Sequence, residues 1–317
     1  MPTKMPPFSS VLKSRDVEDP VNVWVHRPLA YAFSWLVFPT PITPNQITFL
    51  AILCGVASGY FFLTGRMVPA GILLWTSAIL DGADGIVARA KNMSSDFGRA
   101  IDGASDGIVA FVTVVPAFIH IWETYRNPIH LVVMPFAIIG AILHMQIYDF
   151  YKETYLRMTR LDRGGEGDDL AKIRAKLPEA RAKGLIPYLA TKFALIGYLE
   201  NQDKILRLTN PKARREGIEV KRSEESAAIF RELNYGPMQV WTLISLAPHS
   251  YLMALCAMAD RLDVYLWIRL VVMNVLLAVA VVWQKRATEE TEREFLRIGA
   301  LDPVQLEAAR AAQATGA

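Results

Sequence analysis

Long apolar stretches alternate with shorter polar segments along most of this chain. Each stretch is close to the ~20 residues that an α-helix needs to cross the hydrocarbon of a bilayer. Pro41 and Pro44 end the preceding helix, and Asn45 is a candidate cap for the first span. The apolar stretches are residues 45–63, 67–89, 97–121, 129–151, 237–258 and 263–284. The pattern predicts an all-α integral membrane bundle of six transmembrane helices.

A mixed aromatic and charged segment, residues 17–39, precedes the first span. Trp24, Arg27 and Trp35 are spaced through it among aliphatic residues. This composition is typical of an amphipathic helix that lies in the membrane interface. The alternative is a helix that packs one apolar face against the core of the protein.

The polar segments divide the chain into five predicted parts. A highly charged insertion separates the fourth and fifth spans, and within it residues 186–208 mix aromatic, aliphatic and lysine residues. That stretch is either an interfacial helix or one arm of a small cytosolic helical hairpin. The parts are 1–39 (tail and juxtamembrane helix), 40–152 (transmembrane helices 1–4), 153–235 (cytosolic insertion), 236–284 (transmembrane helices 5–6) and 285–317 (cytosolic tail).

Composition and charge agree with a membrane location. Hydrophobic residues make up 52% of the 317 residues, which is high for a soluble domain of this length. The net charge of +3 does not suggest a nucleic-acid partner. Lysine and arginine concentrate on the side that holds both termini, so the positive-inside rule places both termini in the cytoplasm. We expect a multi-pass protein of a bacterial inner membrane.

Four aspartates lie at the end of the second span and the start of the third. Asp81 and Asp84 are three residues apart, and Asp102 and Asp106 are four apart, so each pair occupies one helical face. Gly98 lies one turn before the second pair. A tight polar turn around residues 91–96 would fold the two helices into a hairpin, and the four carboxylates could then converge near the cytoplasmic edge.

Such a convergence indicates a metal site. One acid within a membrane helix costs about 2.5–3.5 kcal/mol on insertion scales, and neighbouring carboxylates also repel one another. Divalent cations such as Mg2+ or Mn2+ remove both penalties, since they prefer carboxylate oxygens. Four carboxylates suffice for two ions, an arrangement suited to phosphoryl chemistry. A structural network of salt bridges is the alternative, but only Arg89 and Arg99 are close in sequence.

At these residues the chain resembles the CDP-alcohol phosphotransferase family. The family signature is D-x2-D-G-x2-A-R-x8-G-x3-D-x3-D, and every spacing is met. The matching residues are Asp81, Asp84, Gly85, Ala88, Arg89, Gly98, Asp102 and Asp106. The T-P-N-x-x-T that commonly opens the family's first span is also present, with Thr43 as its first residue and Thr48 as its last. The resemblance covers roughly residues 15–151.

The resemblance implies a reaction and a set of roles. A substituted phosphate, such as phosphatidyl, would pass from a CDP-alcohol such as CDP-diacylglycerol to an acceptor alcohol, and CMP would leave. Asp81 and Asp102 would bridge two Mg2+ or Mn2+ ions. Asp84 would complete the first site and Asp106 the second, and Asp106 would also act as the catalytic general base.

Further residues are expected to bind the CDP-alcohol. Gly85 would leave room for the donor, and the guanidinium of Arg89 would contact its phosphate. Ser95 matches a position that often contacts the nucleotide in the family. Asn45 and Thr48 would border the cytidine pocket, although helix capping is an equally simple role for them.

The acceptor and the assembly are less defined. His144, Lys152 and Arg157 are candidates for an acceptor pocket, while His144 could instead be a core histidine. The segment before the first span resembles the branch of the family that handles inositol phosphates; a lipid alcohol is another possible acceptor. The family is usually dimeric, which suggests a homodimer. A hypothesis of another class is a divalent-cation carrier, although the aspartates lie at one edge of the bilayer rather than at its centre.

Overall fold

The protein is described here by a computed structural model that covers residues 4–11, 14–93, 96–161, 170–213 and 220–315. Within those ranges the chain is helical, and its β pairing is one antiparallel bridge between Val220 and Leu301. Six of the described helical segments are long and apolar enough to cross a membrane. The predicted all-α bundle with six membrane helices is confirmed, and the chain is an integral membrane protein.

Fifteen α-helices follow one another in the described ranges. In chain order they are α1 (Phe8–Val11), α2 (Arg27–Val37), α3 (Pro44–Leu63), α4 (Met67–Ala90), α5 (Asp96–Tyr125), α6 (Pro128–Thr159), α7 (Leu170–Ala175), α8 (Leu177–Ala182), α9 (Leu185–Leu189), α10 (Gly197–Thr209), α11 (Glu224–Thr242), α12 (Leu246–Met258), α13 (Leu262–Trp267), α14 (Met273–Arg297) and α15 (Pro303–Thr315). Wider π-helical segments lead into three of them: Asn22–His26 into α2, Ala190–Ile196 into α10 and Ile268–Val272 into α14.

Several helices extend beyond the apolar stretches that predicted them. The first two spans agree with the prediction to within one residue at each end. By contrast, α6 continues to Thr159 and α14 to Arg297, past the predicted ends at 151 and 284. Lysine, arginine and glutamate favour the helix almost as much as apolar residues do, so a helix can continue after the hydrocarbon ends. The fifth span is broken at residues 243–245, where α11 gives way to α12.

The chain divides into two compact units, residues 1–141 with 243–274 and residues 142–242 with 275–317. In the first unit, glycines let the membrane helices approach closely. A Cβ added to Gly59 on α3 would lie 1.9 Å from the carbonyl oxygen of Val112 on α5. A Cβ at Gly71 on α4 would lie 2.5 Å from the carbonyl oxygen of Ala254 on α12. Small residues are the usual means of packing helices tightly in a bilayer.

Helix α2 has one buried face and one exposed face, and its location in the membrane interface stays a prediction. Ser34 is buried on one face, and its hydroxyl lies 3.3 Å from the carbonyl oxygen of Ala83 on α4. Trp35 and Leu36, on the other side, are 62% and 64% exposed. The helix therefore packs on the bundle with one face and presents an aromatic and aliphatic face outward, as an interfacial helix does.

The second unit is joined internally by buried polar side chains of α11 and α14. Gln284 donates to the Oδ1 of Asn234 at 2.8 Å and accepts from the Nε1 of Trp241 at 3.1 Å. Asn234 in turn donates to the Oγ1 of Thr291 at 2.9 Å. Hydrogen bonds of this kind stabilise helix pairs where little water is available to compete.

Candidate active site

The first pair of aspartates lies near the end of α4. Asp84 is 5% exposed, and Asp81 is partly buried on the same face. The hydroxyl of Thr48, on α3, donates to the Oδ2 of Asp84 at 2.5 Å. Thr48 is itself 4% exposed, so this contact is shielded from water. The neighbouring helix thus holds the Asp84 carboxylate in place.

Thr43, rather than Asn45, caps the start of α3. The hydroxyl of Thr43 accepts from the backbone N–H of Gln46 at 3.4 Å, and the Gln46 side chain accepts from the N–H of Thr43 at 2.9 Å. Pro44 restricts the residue before it to an extended backbone, which is the conformation that an N-cap needs. The prediction that Asn45 caps the helix is wrong. Its side chain is exposed in the first turn, and its contact with the donor stays a prediction.

Residues 91–93, the described part of the turn after α4, close that helix, and the turn over 91–96 stays a prediction. The N–H of Met93 donates to the carbonyl of Ala88 at 2.8 Å, and that of Asn92 to the carbonyl of Arg89 at 3.3 Å. Asn92 has a φ of 54°, the left-handed conformation that closes a helix in this motif. Asparagine tolerates that conformation better than most residues. Helix α4 therefore ends directly after Arg89, the last signature residue on that helix.

Lys91 binds the backbone just before α3. Its ammonium donates to the carbonyl oxygens of Val37, Thr40 and Ile42 at 3.3, 2.8 and 2.8 Å. The side chain is buried, and burial lowers the pKa of Lys91 below its usual value. Lys91 thereby ties the end of α4 to the segment that enters α3. The role of Lys91 could not be predicted from the sequence, because its three acceptors are backbone carbonyl oxygens that no side-chain pattern identifies.

Arg89 covers Gly85 within the signature. A Cβ added to Gly85 would lie 3.4 Å from Nη1 of Arg89 and 3.7 Å from its Nη2. The guanidinium therefore lies over the glycine, on the same side of α4. The two residues that the resemblance assigns to the donor are adjacent in space, and a larger side chain at position 85 would crowd the guanidinium.

A second arginine lies beside this part of α4. Arg27 forms a two-pronged salt bridge with Glu18, with nitrogen–oxygen distances of 3.0 and 2.8 Å. A Cβ at Gly82 would lie 3.6 Å from Nη1 of Arg27. By sequence pattern, Arg27 is only one of the residues of a predicted interfacial helix. Its pairing with Glu18 could have been suspected from their opposite charges nine residues apart.

The second pair of aspartates begins α5. Asp106 is exposed, whereas the adjacent Ser105 is 3% exposed. Among the described residues, a Cβ at Gly103 or Gly107 would meet no heavy atom within 4 Å, so the helix surface at these two positions is open to them. The side chain of Asp102 and the whole of Ser95 lie outside the described parts of the chain. The convergence of all four carboxylates therefore stays a prediction.

The side chains proposed to hold metal ions are carboxylates. Among the described side chains, which do not include Asp102, no group of three or more acidic, histidine or cysteine residues is placed to hold a metal ion. The described donors Asp81, Asp84 and Asp106 are carboxylates, and carboxylate oxygens are the ligands that a hard divalent cation prefers.

The candidate acceptor residues lie on α6, in the second unit. His144 is fully buried. The ammonium of Lys152 pairs with Asp149 at 3.0 Å and lies 5.1 Å from the centre of the Tyr148 ring. Arg157 is partly buried further along the helix. A role for these three residues in an acceptor pocket stays a prediction.

Comparison with known proteins identifies the signature segment. A family model described as CDP-alcohol phosphatidyltransferase matches residues 41–197. These residues contain α3 to α6 and all eight signature positions. This chain carries a CDP-alcohol phosphatidyltransferase domain. The resemblance found in the sequence is confirmed.

Individual relatives match shorter stretches of the CDP-alcohol phosphatidyltransferase domain. An archaetidylinositol phosphate synthase of Pyrococcus horikoshii is 40% identical over 65 residues, which are 20% of this chain and 35% of that protein. A bifunctional IPC transferase and DIPP synthase of Thermococcus kodakarensis is 34% identical over 104 residues, 32% of this chain and 23% of that protein. A CDP-diacylglycerol–serine O-phosphatidyltransferase of Helicobacter pylori is 40% identical over 81 residues, 26% of this chain and 33% of that protein. The matched stretch is thus about a third of each relative or less.

Proposed function

We propose that this protein is a CDP-alcohol phosphotransferase of phospholipid biosynthesis. It moves a substituted phosphate, such as the phosphatidyl group of CDP-diacylglycerol, to an acceptor alcohol. The acceptor oxygen forms a new bond to phosphorus, the pyrophosphate bond breaks, and CMP leaves. The observation that carries the proposal is the complete signature from Asp81 to Asp106, placed at the end of α4 and the start of α5.

The chain's own residues divide the work as follows. Asp106 takes the proton of the acceptor hydroxyl, and its exposure supports that role. Arg89 and Gly85 receive the phosphates of the donor, since the guanidinium lies over a position without a side chain. Thr48 orients the carboxylate of Asp84. Asn45, exposed in the first turn of α3, borders the nucleotide, and we assign the same role to Ser95.

Two divalent cations, Mg2+ or Mn2+, would be held by Asp81, Asp84, Asp102 and Asp106. When bound, they would neutralise the charge that develops on the departing CMP. In their absence these carboxylates would repel one another. Activity that disappears with a chelator and returns with Mg2+ or Mn2+ would support this assignment.

The acceptor is proposed from the relatives and from α6. The printed names of the relatives include an inositol phosphate product and a serine substrate, so both classes of alcohol are candidates. A phosphorylated acceptor needs cations, and Lys152 and Arg157 are the basic residues that follow His144 on α6. Lys152 already pairs with Asp149, so it would have to exchange that partner to bind a phosphate.

The decisive assay measures release of CMP by purified protein in lipid nanodiscs. CDP-diacylglycerol and Mg2+ are supplied with serine, glycerol phosphate, inositol phosphate or a lipid alcohol, one at a time. We expect CMP release with one acceptor and none with Asp106→Asn. The substitution Glu179→Gln, on exposed α8, is the matched control and should leave the rate unchanged. Failure of every acceptor in both Mg2+ and Mn2+ would contradict the proposal.

The substitution Arg89→Ala separates this proposal from a divalent-cation carrier. A transferase should lose its use of the CDP-alcohol, because a contact with the donor phosphate is gone. A carrier would still move Mn2+ into vesicles, since the aspartates remain. The membrane location is established by the helices; we propose in addition that the site and both termini face the cytoplasm of a bacterial inner membrane, and that the protein acts as a homodimer.

A further inference from the structure

The described part of the insertion after α6 contains a helix, α10, that is hydrogen-bonded to α6. Tyr198 of α10 donates to Asp149 of α6 at 2.9 Å. Asn201 donates to the side-chain oxygen of Gln146 at 2.6 Å, and Gln202 donates to the carbonyl oxygen of Gln146 at 2.7 Å. These contacts fix α10, and with it the preceding residues 185–196, against a short polar stretch of α6.

The position of that stretch along α6 gives its depth in the membrane. Helix α6 begins at Pro128, directly after the turn at Arg126 and Asn127. Gln146 lies 18 residues further on, which corresponds to about 27 Å of helix. The hydrocarbon of a bilayer is about 30 Å thick. Gln146 and Asp149 therefore lie where α6 leaves the hydrocarbon, and Tyr198, Asn201 and Gln202 are bound to α6 at that level.

Large apolar side chains are exposed among the described residues before α10 and at its far end. Leu185, Leu189 and Phe193 are spaced four residues apart, and they are 71%, 41% and 66% exposed. Leu208, at the far end of α10, is 87% exposed. Contiguous apolar side chains of this size are rarely left in water, so the stripe requires an apolar partner.

Cationic and aromatic side chains border the stripe. The ammonium of Lys192 lies 5.6 Å from the ring centre of Tyr188 and 5.3 Å from that of Phe193. The guanidinium of Arg181 lies 5.8 Å from the ring centre of Tyr188. Aromatic rings are enriched at the level of lipid headgroups, and lysine and arginine there extend their charges toward lipid phosphates. The chemistry next to the stripe thus matches a lipid surface.

We propose that residues 185–208 form a membrane-interface anchor. The side chains of Leu185, Leu189 and Phe193 enter the boundary between headgroups and acyl chains, and Lys192 and Arg181 bind the phosphates of anionic lipids. The partner is the bilayer that holds the six membrane helices. The anchor does not depend on the transferase activity and can be tested without a substrate.

The test places a nitroxide spin label on the stripe of the full-length protein in liposomes that contain zwitterionic and anionic phospholipids. The label is attached to Phe193→Cys in a background with Cys54→Ala and Cys256→Ala. The control label is attached to Glu179→Cys on α8, where the native side chain is 65% exposed. Collisions with dissolved oxygen report lipid, and collisions with a water-soluble nickel complex report solvent. We expect the oxygen-to-nickel ratio to be several-fold higher at position 193 than at position 179.

Two results would overturn the proposal. Strong nickel collisions at position 193 would place the stripe in water. Protection from both oxygen and nickel would mean that protein covers it, for example a second copy of the chain. The cationic border is tested by repeating the measurement in purely zwitterionic liposomes. The ratio at position 193 should fall there, and an unchanged ratio would refute the role of Lys192 and Arg181 while leaving the apolar contact.

Discussion

The hydrogen bond between Thr48 and Asp84 offers the sharpest test of the candidate site. In the substitution Thr48→Val, a methyl group replaces the hydroxyl at nearly constant volume, and the donor at 2.5 Å from Asp84 is lost. We expect the protein to fold and the carboxylate to lose its fixed orientation. Because Asp84 is proposed to hold a cation, the effect should appear first in the dependence of activity on Mg2+.

The structure sets the size of the effect. A hydrogen bond to a charged group contributes about 1.5–3 kcal/mol, which corresponds to roughly 10–150-fold in an equilibrium constant. Thr48 and Asp84 are 4% and 5% exposed, so water cannot easily replace the hydroxyl. Substituting a residue that orients a metal ligand typically lowers metal affinity or activity by about 10–100-fold. Both estimates predict that the Mg2+ concentration for half-maximal activity rises by at least about tenfold.

The assay is CMP release measured across a titration of Mg2+, with wild type, Thr48→Val and Thr48→Ser compared in nanodiscs. Serine keeps the hydroxyl, so it should restore most of the Mg2+ affinity. If Thr48 instead contacts the cytidine, the KM for the CDP-alcohol should rise at saturating Mg2+, while the Mg2+ requirement stays constant. An unchanged Mg2+ requirement in a folded Thr48→Val protein would refute the reasoning.

Three further predictions concern stability. Lys91→Met removes a buried ammonium that donates to three backbone carbonyl oxygens, and it should destabilise the protein by about 1–3 kcal/mol in thermal unfolding. Gly59→Ala should also destabilise it by about 1–3 kcal/mol, because the new methyl would lie 1.9 Å from the carbonyl oxygen of Val112. Burial, helped by the nearby Arg27, lowers the pKa of His26 to about 4, whereas an unfolded histidine has a pKa of about 6.5. The unfolded state therefore binds the extra proton, and stability that is fully present above about pH 6.5 should fall as the pH approaches 4.

Each of these measurements has a matched control. Lys183→Met removes a lysine that is 65% exposed, so its unfolding temperature should equal that of wild type. Gly107→Ala adds a methyl where no atom lies within 4 Å, and alanine should not lower the stability there. For His26, the difference between wild type and His26→Phe isolates its titration from that of Asp19, whose pKa is raised by burial. A pH-independent difference would contradict the assignment to His26.

Much of this protein follows from local sequence pattern. The spans appear as runs of apolar residues of membrane length, because a bilayer requires each backbone to satisfy its hydrogen bonds within one helix. The spacing of Asp81 and Asp84 puts them on one face through the period of the helix alone. The turn at Asn92 and the cap at Thr43 are also local motifs. Pro44 holds Thr43 in the extended backbone of an N-cap, so the sequence contains the signal for Thr43 rather than Asn45.

Contacts between distant segments were decided only by the tertiary structure. No sequence pattern predicts that Thr48 donates to Asp84. The same is true of the hydrogen bonds from Lys91 to the backbone before α3. By pattern, residues 186–208 fit an interfacial helix and an arm of a cytosolic hairpin equally well, and only the tertiary structure shows the contacts of α10 with Gln146 and Asp149. Helical period tells which face a residue occupies. Which neighbour that face meets depends on how helices separated by dozens of residues pack together, and that information is not local.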